Sequence, residues 1–251
     1  MVMETLNQMQ KRIQAFSLHS LYCREDGCFE TNPNLIHKVN EEGKLKPYYG
    51  NSMIFELKDD NVLSLCNVLC QQINQSEMMA EPLQQHTIHM TLHDLVNGAS
   101  LEDIAQNKEA VGQQAMQVLE RLPKFELKMK PVRVYSMNQT SIVLGMEAIN
   151  EEHHQVLMHL YEAFQKIYPL SYPLTPHITL SYYRPSIYPK EIVLQLQEYM
   201  RRANDLNRNI IITLKKENLK LLQFKDMNHY FEENGKNNQK YKLNSIKIKE
   251  F

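Results

Sequence analysis

The sequence predicts an α+β protein of two lobes related by a pseudo-twofold axis. Strand-like segments alternate with amphipathic helices, and the same order of elements occurs in both halves of the chain. Each half also contains one His-x-Thr-x stretch, His89–Leu92 in the first and His177–Leu180 in the second. A shared order of elements with one motif per half indicates a structural repeat within a single bilobal domain spanning residues 1–251.

Composition sets the broad class of the protein. Its 251 residues are 43% hydrophobic and 23% charged, which is ordinary for a globular chain. The formal net charge of −1 argues against long nucleic-acid contacts, which need many lysines and arginines. No apolar run predicts a membrane span, and the polar start lacks a signal-peptide core. Four cysteines without a secretory signal indicate reduced thiols in the cytoplasm. We also expect a monomer.

The first half of the chain begins with a helix and an arm. Gly27, Pro33, Gly43 and Pro47 break the arm into loops that we expect to wrap the fold. Asp60 and Ser100 are predicted helix N-caps. The elements predicted in order are a helix at 4–20, the arm at 23–49, a strand at 53–57, a helix at 61–75, the first motif strand at 86–92 and a helix at 101–121.

The second half repeats this order. Asn138-Gln139 joins two strands as a hairpin, and Pro189 opens a helix. We expect His153, His154 and His159 to lie on a solvated face of their helix. The predicted elements are strands at 125–137 and 140–148, a helix at 151–167, the second motif strand, a helix at 189–203, strands at 209–215 and 219–225 joined by a short turn, and a closing hairpin within 226–249.

Alternation along the motif strands predicts which side chains share a face, because residues i and i+2 of a strand point the same way. The opposite face, including Tyr182, is assigned to the core. The polar faces comprise Thr87, His89, Thr91 and His93 in the first strand, and His177, Thr179, Ser181 and Tyr183 in the second.

Two such faces brought together would place two imidazoles and two hydroxyls around one point. Histidine titrates near neutral pH, so one ring can accept a proton while the other donates one. Threonine hydroxyls can hydrogen-bond phosphate oxygens. The set suits attack of water on a phosphodiester without a metal. Two metal sites are alternative interpretations of the histidines and cysteines. One is His86 with His89 and His93, and the other is Cys23-x4-Cys28 with His19 and His37.

The paired motifs resemble the two-histidine (2H) phosphoesterase superfamily, which includes 2′-5′ RNA ligase-like proteins and cyclic nucleotide phosphodiesterases. The resemblance covers most of residues 50–225, between an N-terminal helix and arm at 1–49 and a C-terminal hairpin or tail at 226–251. Residues 43–51 and 224–227 resemble a poorly characterised branch. The resemblance implies antiparallel sheets facing a central cleft, with helices outside.

The resemblance also implies an activity and its residues. Members of this kind open 2′,3′-cyclic phosphates of nucleotides or RNA 3′-ends without metal or cofactor. The catalytic histidines map onto His89 and His177, and the phosphate-binding hydroxyls onto Thr91 and Thr179. Candidate substrate-binding residues are Tyr183, Tyr49, Ser181 and Arg184, the last as a local positive charge. The alternative is a non-catalytic module that binds a nucleotide or an RNA end in the same cleft.

Overall fold

The computed structural model describes residues 4–18, 21–206 and 209–232. Within them, no helix is long and apolar enough to cross a membrane. The helices are α1 Leu6–Leu18, α2 Asp60–Ile73, α3 Leu101–Arg121, α4 Glu151–Gln165 and α5 Lys190–Asp205. The strands are β1 Phe29–Glu30, β2 Tyr49–Glu56, β3 His89–Gly98, β4 Glu126–Met137, β5 Ser141–Ala148, β6 His177–Tyr182, β7 Ile187–Tyr188, β8 Ile212–Lys215, β9 Leu219–Asp226 and β10 His229–Glu232.

Side-chain caps set where several helices begin. The Ser100 hydroxyl accepts a bond from the backbone N–H of Asp103, as the sequence predicts. In α2 the cap is Asp59, whose carboxylate accepts from the N–H groups of Asn61 and Val62. The cap predicted at Asp60 is therefore one residue late, because both residues are aspartates and only the earlier one has extended backbone.

The strands form one antiparallel sheet of eight, in the order β10-β9-β2-β3-β6-β5-β4-β8, which confirms the α+β, two-lobed architecture. Each lobe contributes four consecutive strands, and the two motif strands meet at the centre. A single residue pair, Met90 with Ile178, joins β3 to β6. The motifs are thus placed side by side where the lobes meet.

The two halves exchange elements. Strand β4 follows the first half in sequence but pairs with β5, whereas β9 follows the second half and pairs with β2. Helices α2 and α4 also reach the other half, because α2 packs against β6, and α4 packs against β3 in addition to β4 and β5. The order of elements predicted for both halves is confirmed.

Turns are predicted correctly where the residues that form them are adjacent in sequence. Asn138 and Gln139 have φ angles of 50° and 57°, the left-handed conformation of a tight hairpin, and the predicted β4–β5 hairpin forms. Strands β8 and β9 do not pair with each other, because the 3₁₀ turn Lys216–Asn218 sends β8 to β4 and β9 to β2. The predicted strand at 240–249 lies outside the described residues, although β10 does form a hairpin with β9.

The arm wraps the fold, as predicted. Strand β1 pairs with β7, a short strand absent from the sequence prediction, and Phe29 is fully buried. The prediction that the α4 histidines lie on a solvated helix face is wrong for His154, which is 1% exposed. Its Nε2 lies 2.7 Å from the carbonyl oxygen of Glu4, so this histidine anchors the N-terminal segment to α4.

Candidate active site

A β-bulge lies within the first motif strand. On β2, Met53 pairs with His93 and Ile54 pairs with Thr91, so Leu92 is an extra residue between them. An extra residue in one strand reverses the inward–outward alternation beyond it. The alternation in this strand therefore reverses after Leu92, and a second register shift, between Gly50 and Ser52 of β2, reverses it again before Asn97.

The second motif strand has its bulge at the equivalent position. On β5, Ile142 pairs with Ser181 and Val143 pairs with Thr179, which leaves Leu180 as the extra residue. In both strands the fourth residue of the His-x-Thr-x motif is thus the bulge. Because the alternation resets at the same place, the pseudo-symmetry extends from the motif to the residues that follow it.

Because of the bulge in β6, two residues predicted to contact the substrate are buried outside the cavity lining. Ser181 is 0% exposed, and its hydroxyl donates to Asn74 Oδ1 at 2.7 Å. Tyr183 is also 0% exposed, with its hydroxyl donating to Ser136 Oγ at 2.9 Å and its ring centroid 4.9 Å from that of Phe29. The residue assigned to the core, Tyr182, lines the cavity instead.

The bulge in β3 has the same effect. His93, predicted on the polar face, is 1% exposed, and its Nε2 lies 2.9 Å from Gln165 Oε1. Asp94 takes its place at the cavity, where it accepts a 3.1 Å hydrogen bond from the Tyr172 hydroxyl. The strand predicted at 86–92 begins only at His89, because Gln85–Thr87 form a 3₁₀ turn that leaves His86 exposed.

The two motif histidines are held in the same way. Nδ1 of His89 lies 2.6 Å from the carbonyl oxygen of Thr87, and Nδ1 of His177 lies 2.7 Å from that of Thr175. A carbonyl oxygen can only accept, so Nδ1 carries the hydrogen in each ring. In both neutral rings, Nε2 is therefore the nitrogen with a free lone pair for a ligand.

Both motifs line one central cavity of about 420 Å³, within the usual size range of small-molecule sites. His89, Thr91, His177 and Thr179 all contribute to it. Further aromatic side chains form its walls. These are Tyr48, Tyr161, Tyr172, Tyr182, Phe224 and Tyr230.

Burial shifts both histidines toward the neutral form. Burial lowers the pKa of His89, which the Thr87 carbonyl opposes, while neighbouring His177 lowers it further. Burial likewise lowers the pKa of His177, against the opposing effects of the Thr175 carbonyl and Asp94. A bound anion would reverse part of this shift, since it favours an imidazolium.

The cavity has a cation that sequence reasoning missed. Lys38, from the arm, places Nζ 4.8 Å from the ring centroid of Tyr48 and 5.7 Å from that of Tyr182. Burial lowers its pKa, but Tyr182, Tyr48 and Asp94 together outweigh burial, so the pKa is raised and the amine stays charged. No sequence signal marks this lysine, because its position depends on how the arm folds back.

Two other predicted contacts lie elsewhere. Arg184, proposed as the local positive charge, is not among the residues that line the cavity, and its side chain packs against Gly43. Tyr49 opens β2 opposite Gly98 and is also outside the lining. The preceding residue, Tyr48, lines the cavity instead.

Across the described residues, no cluster of three or more His, Cys, Asp or Glu side chains is arranged to hold a metal ion. Cys23 and Cys28 are free thiols whose pKa values are raised, chiefly by burial. His19, also proposed for that site, lies outside the described residues, and His37 is an exposed residue at the end of the 3₁₀ turn Pro33–His37.

Comparison with solved structures identifies a shared fold. The chain matches a conserved protein of unknown function, ATU0111 from Agrobacterium tumefaciens, with 18% identity, 81% of this chain and 92% of that chain covered, and a TM-score of 0.61. TT0787 of Thermus thermophilus matches with 16% identity, coverage of 73% and 94%, and a TM-score of 0.43. E. coli LigT in its apo form matches with 14% identity, coverage of 74% and 94%, and a TM-score of 0.41.

The first similarity establishes the fold alone, since its identity is low. The other two similarities are weaker, with TM-scores below 0.5. No protein-family model matches the chain. No curated protein matches its sequence.

Proposed function

We propose that the chain is a metal-independent phosphodiesterase of the 2H type that opens cyclic phosphodiesters, such as 2′,3′-cyclic phosphates of nucleotides or RNA ends. One observation carries this proposal. Nδ1 of His89 and Nδ1 of His177 each donate to the carbonyl two residues earlier, which leaves two equivalent Nε2 atoms for one cavity. A site that only binds phosphate does not require two groups that exchange protons near neutral pH.

The reaction needs one histidine in each protonation state. The neutral imidazole accepts a proton from water through Nε2 while the water oxygen attacks phosphorus. The imidazolium donates its Nε2 proton to the departing ribose oxygen as the phosphorus–oxygen bond breaks. The product is an acyclic phosphomonoester. The two rings end with their protons exchanged, and proton transfer with solvent restores the starting state.

The motif threonines have a separate role. Thr91 and Thr179 follow their histidines by two residues, before the bulge, so their hydroxyls share the histidines' face of the sheet. There they donate hydrogen bonds to the non-bridging oxygens, where negative charge builds in the transition state. These two donors lie on separate strands, so the phosphate is held from both lobes.

A substrate panel tests the proposed activity. The purified chain is mixed with the four 2′,3′-cyclic nucleotides and with an oligoribonucleotide bearing a 2′,3′-cyclic end, with and without EDTA. ³¹P NMR should show conversion of the cyclic resonance to one phosphomonoester at the same rate in both conditions. Tight binding without product would instead support a nucleotide-binding module. Loss of turnover in EDTA, restored by zinc, would support a metal enzyme.

A further inference from the structure

Lys38 is a cation of the cavity without a carboxylate partner. Within the described part of the chain, no ion pair forms to its ammonium. The other arm lysines nearby are engaged: Lys44 pairs with Glu81 at 3.3 Å, and Lys46 donates to the carbonyl oxygen of Ile36 at 2.8 Å. A half-buried ammonium that is left unpaired beside a cavity is available to an anionic ligand.

The backbone beneath Lys38 is fixed. The 3₁₀ turn Pro33–His37 is capped by the Asn32 side chain, which accepts from the N–H of Asn34. The N–H of Lys38 then donates to the Leu35 carbonyl at 2.8 Å, and its carbonyl accepts from the N–H of Lys46, also at 2.8 Å. The side chain therefore reaches the cavity from a backbone position that is fixed through both its N–H and its carbonyl.

The two rings around the ammonium are also held by their hydroxyls. Tyr48 donates to Asn97 Oδ1 at 2.6 Å, and Tyr182 donates to Met227 Sδ at 3.1 Å. An ammonium over aromatic faces is stabilised without losing its N–H donors to a carboxylate. The rings thus keep Lys38 charged and positioned while its hydrogen-bonding capacity remains for a ligand.

The other charges of the cavity are already engaged. Asp94 accepts from the Tyr172 hydroxyl, and the Arg12 guanidinium pairs with Glu4 at 2.8 Å and also donates to Thr175 Oγ1. Of the two lining cations Arg12 and Lys38, Lys38 is therefore the one whose N–H donors are not taken by a carboxylate. The Asp94 carboxylate raises the pKa of Lys38 but forms no ion pair with it among the described residues, so the ammonium keeps its N–H donors for an anion.

Lys38 lies beside a residue further along β6 than the threonine of the motif. Tyr182, whose ring centroid is 5.7 Å from the ammonium, follows Thr179 by three residues on β6. Three residues of regular strand span roughly 10 Å, and the Leu180 bulge shortens that span. The Lys38 charge still reaches the histidine pair, since it lowers the pKa of His177. A ligand phosphate held by Thr91 and Thr179 leaves the Tyr182 end of the cavity for another charged group of the same molecule.

We propose that Lys38, Tyr48 and Tyr182 form a second anion subsite, which takes a negatively charged group of the substrate other than the scissile phosphodiester, such as the 5′-phosphate of a nucleotide. The assignment of that group to a nucleotide rests on the proposed function. The subsite would make the enzyme prefer cyclic nucleotides that carry a 5′-phosphate over those that end in a 5′-hydroxyl.

Paired substrates test this subsite. Values of kcat/KM are measured for adenosine 2′,3′-cyclic phosphate with and without a 5′-phosphate. Wild type should prefer the 5′-phosphorylated substrate by roughly 10- to 100-fold, the size of a hydrogen bond to a charged group. Lys38→Met and Lys38→Gln should abolish that preference, because they lower kcat/KM for the 5′-phosphorylated substrate by more than for the 5′-hydroxyl substrate. Lys38→Arg should retain part of the preference, and Lys44→Met, which removes an exposed charge from the same arm, should retain all of it.

Two outcomes would overturn the subsite. One is a wild-type enzyme with no preference. The other is an equal loss on both substrates in the Lys38 variants, which would place the ammonium on the scissile phosphate. Calorimetric binding of 5′-AMP and adenosine separates this inference from the proposed function. A Lys38-dependent preference for 5′-AMP without any turnover would retain the subsite and reject the catalytic proposal, whereas equal affinities would reject the subsite itself.

Discussion

The hydroxyl of Ser181 donates a 2.7 Å hydrogen bond to Asn74 Oδ1, at the C-terminal end of α2. The pseudo-symmetric contact joins Nε2 of His93 to Gln165 Oε1 at the end of α4. In each motif strand, the residue just after the bulge is held by an amide side chain from the other half of the chain. These paired contacts fix the bulges, and the bulges decide which side chains face the cavity.

Ser181 is therefore expected to matter for stability and not for substrate contact. Ser181→Ala leaves the Asn74 amide without this donor and should lower the free energy of unfolding by about 1 kcal/mol. Urea denaturation measures the loss, and Ser186→Ala, at an exposed site, is the matched control. The folded Ser181 variant should keep its activity. A large fall in kcat/KM at unchanged stability would restore the residue to the substrate site.

The adjacent tyrosines of β6 should respond in opposite ways. Tyr183→Ala removes a fully buried ring and should cost about 3–5 kcal/mol of unfolding free energy, as large core truncations do. Tyr182→Ala should cost far less and should weaken ligand binding, because this ring lines the cavity. Parallel denaturation and binding measurements distinguish the two. If Tyr183→Ala were the variant that lost binding at normal stability, the bulge would be misplaced.

Stability should fall with acidity because of the motif histidines. Burial lowers the pKa of His89 and of His177 below the value of about 6.5 expected in the unfolded chain. The unfolded state then binds more protons below that pH, so the destabilising effect is absent above about pH 6.5, grows as pH falls toward the folded pKa values, and levels off below them. As pH is lowered from 8 to 5, the thermal midpoint of the double variant His89→Gln/His177→Gln should fall less steeply than that of the wild type. Identical slopes in variant and wild type would contradict the assigned burial.

Much of the fold could be predicted because its signals are local. Ser100 marks the start of α3, and Asn138-Gln139 supplies the left-handed turn of the β4–β5 hairpin. The shared order of elements predicted the two lobes. The meeting of both motifs at one cavity followed from that repeat.

The substrate-facing residues could not be predicted in the same way. Alternation assigns faces only while the strand is regular, and the pairing of β6 with β5, a strand distant in sequence, leaves Leu180 as an extra residue that shifts the register. Because of this one extra residue, Ser181 and Tyr183 lie in the core and Tyr182 faces the cavity, which is the reverse of the prediction. Lys38 was missed because the arm crosses between lobes, so nothing near residue 38 in sequence reports its neighbours.

The measurement that bears most directly on the proposed catalytic pair is the initial rate of hydrolysis of a 2′,3′-cyclic nucleotide by His89→Gln and His177→Gln. Each variant should stay folded, because both rings line the cavity, and each should lose roughly 10²–10⁴-fold in kcat, the contribution of a positioned acid or base. A correctly folded variant that turned over the substrate within a few-fold of wild type would contradict the account.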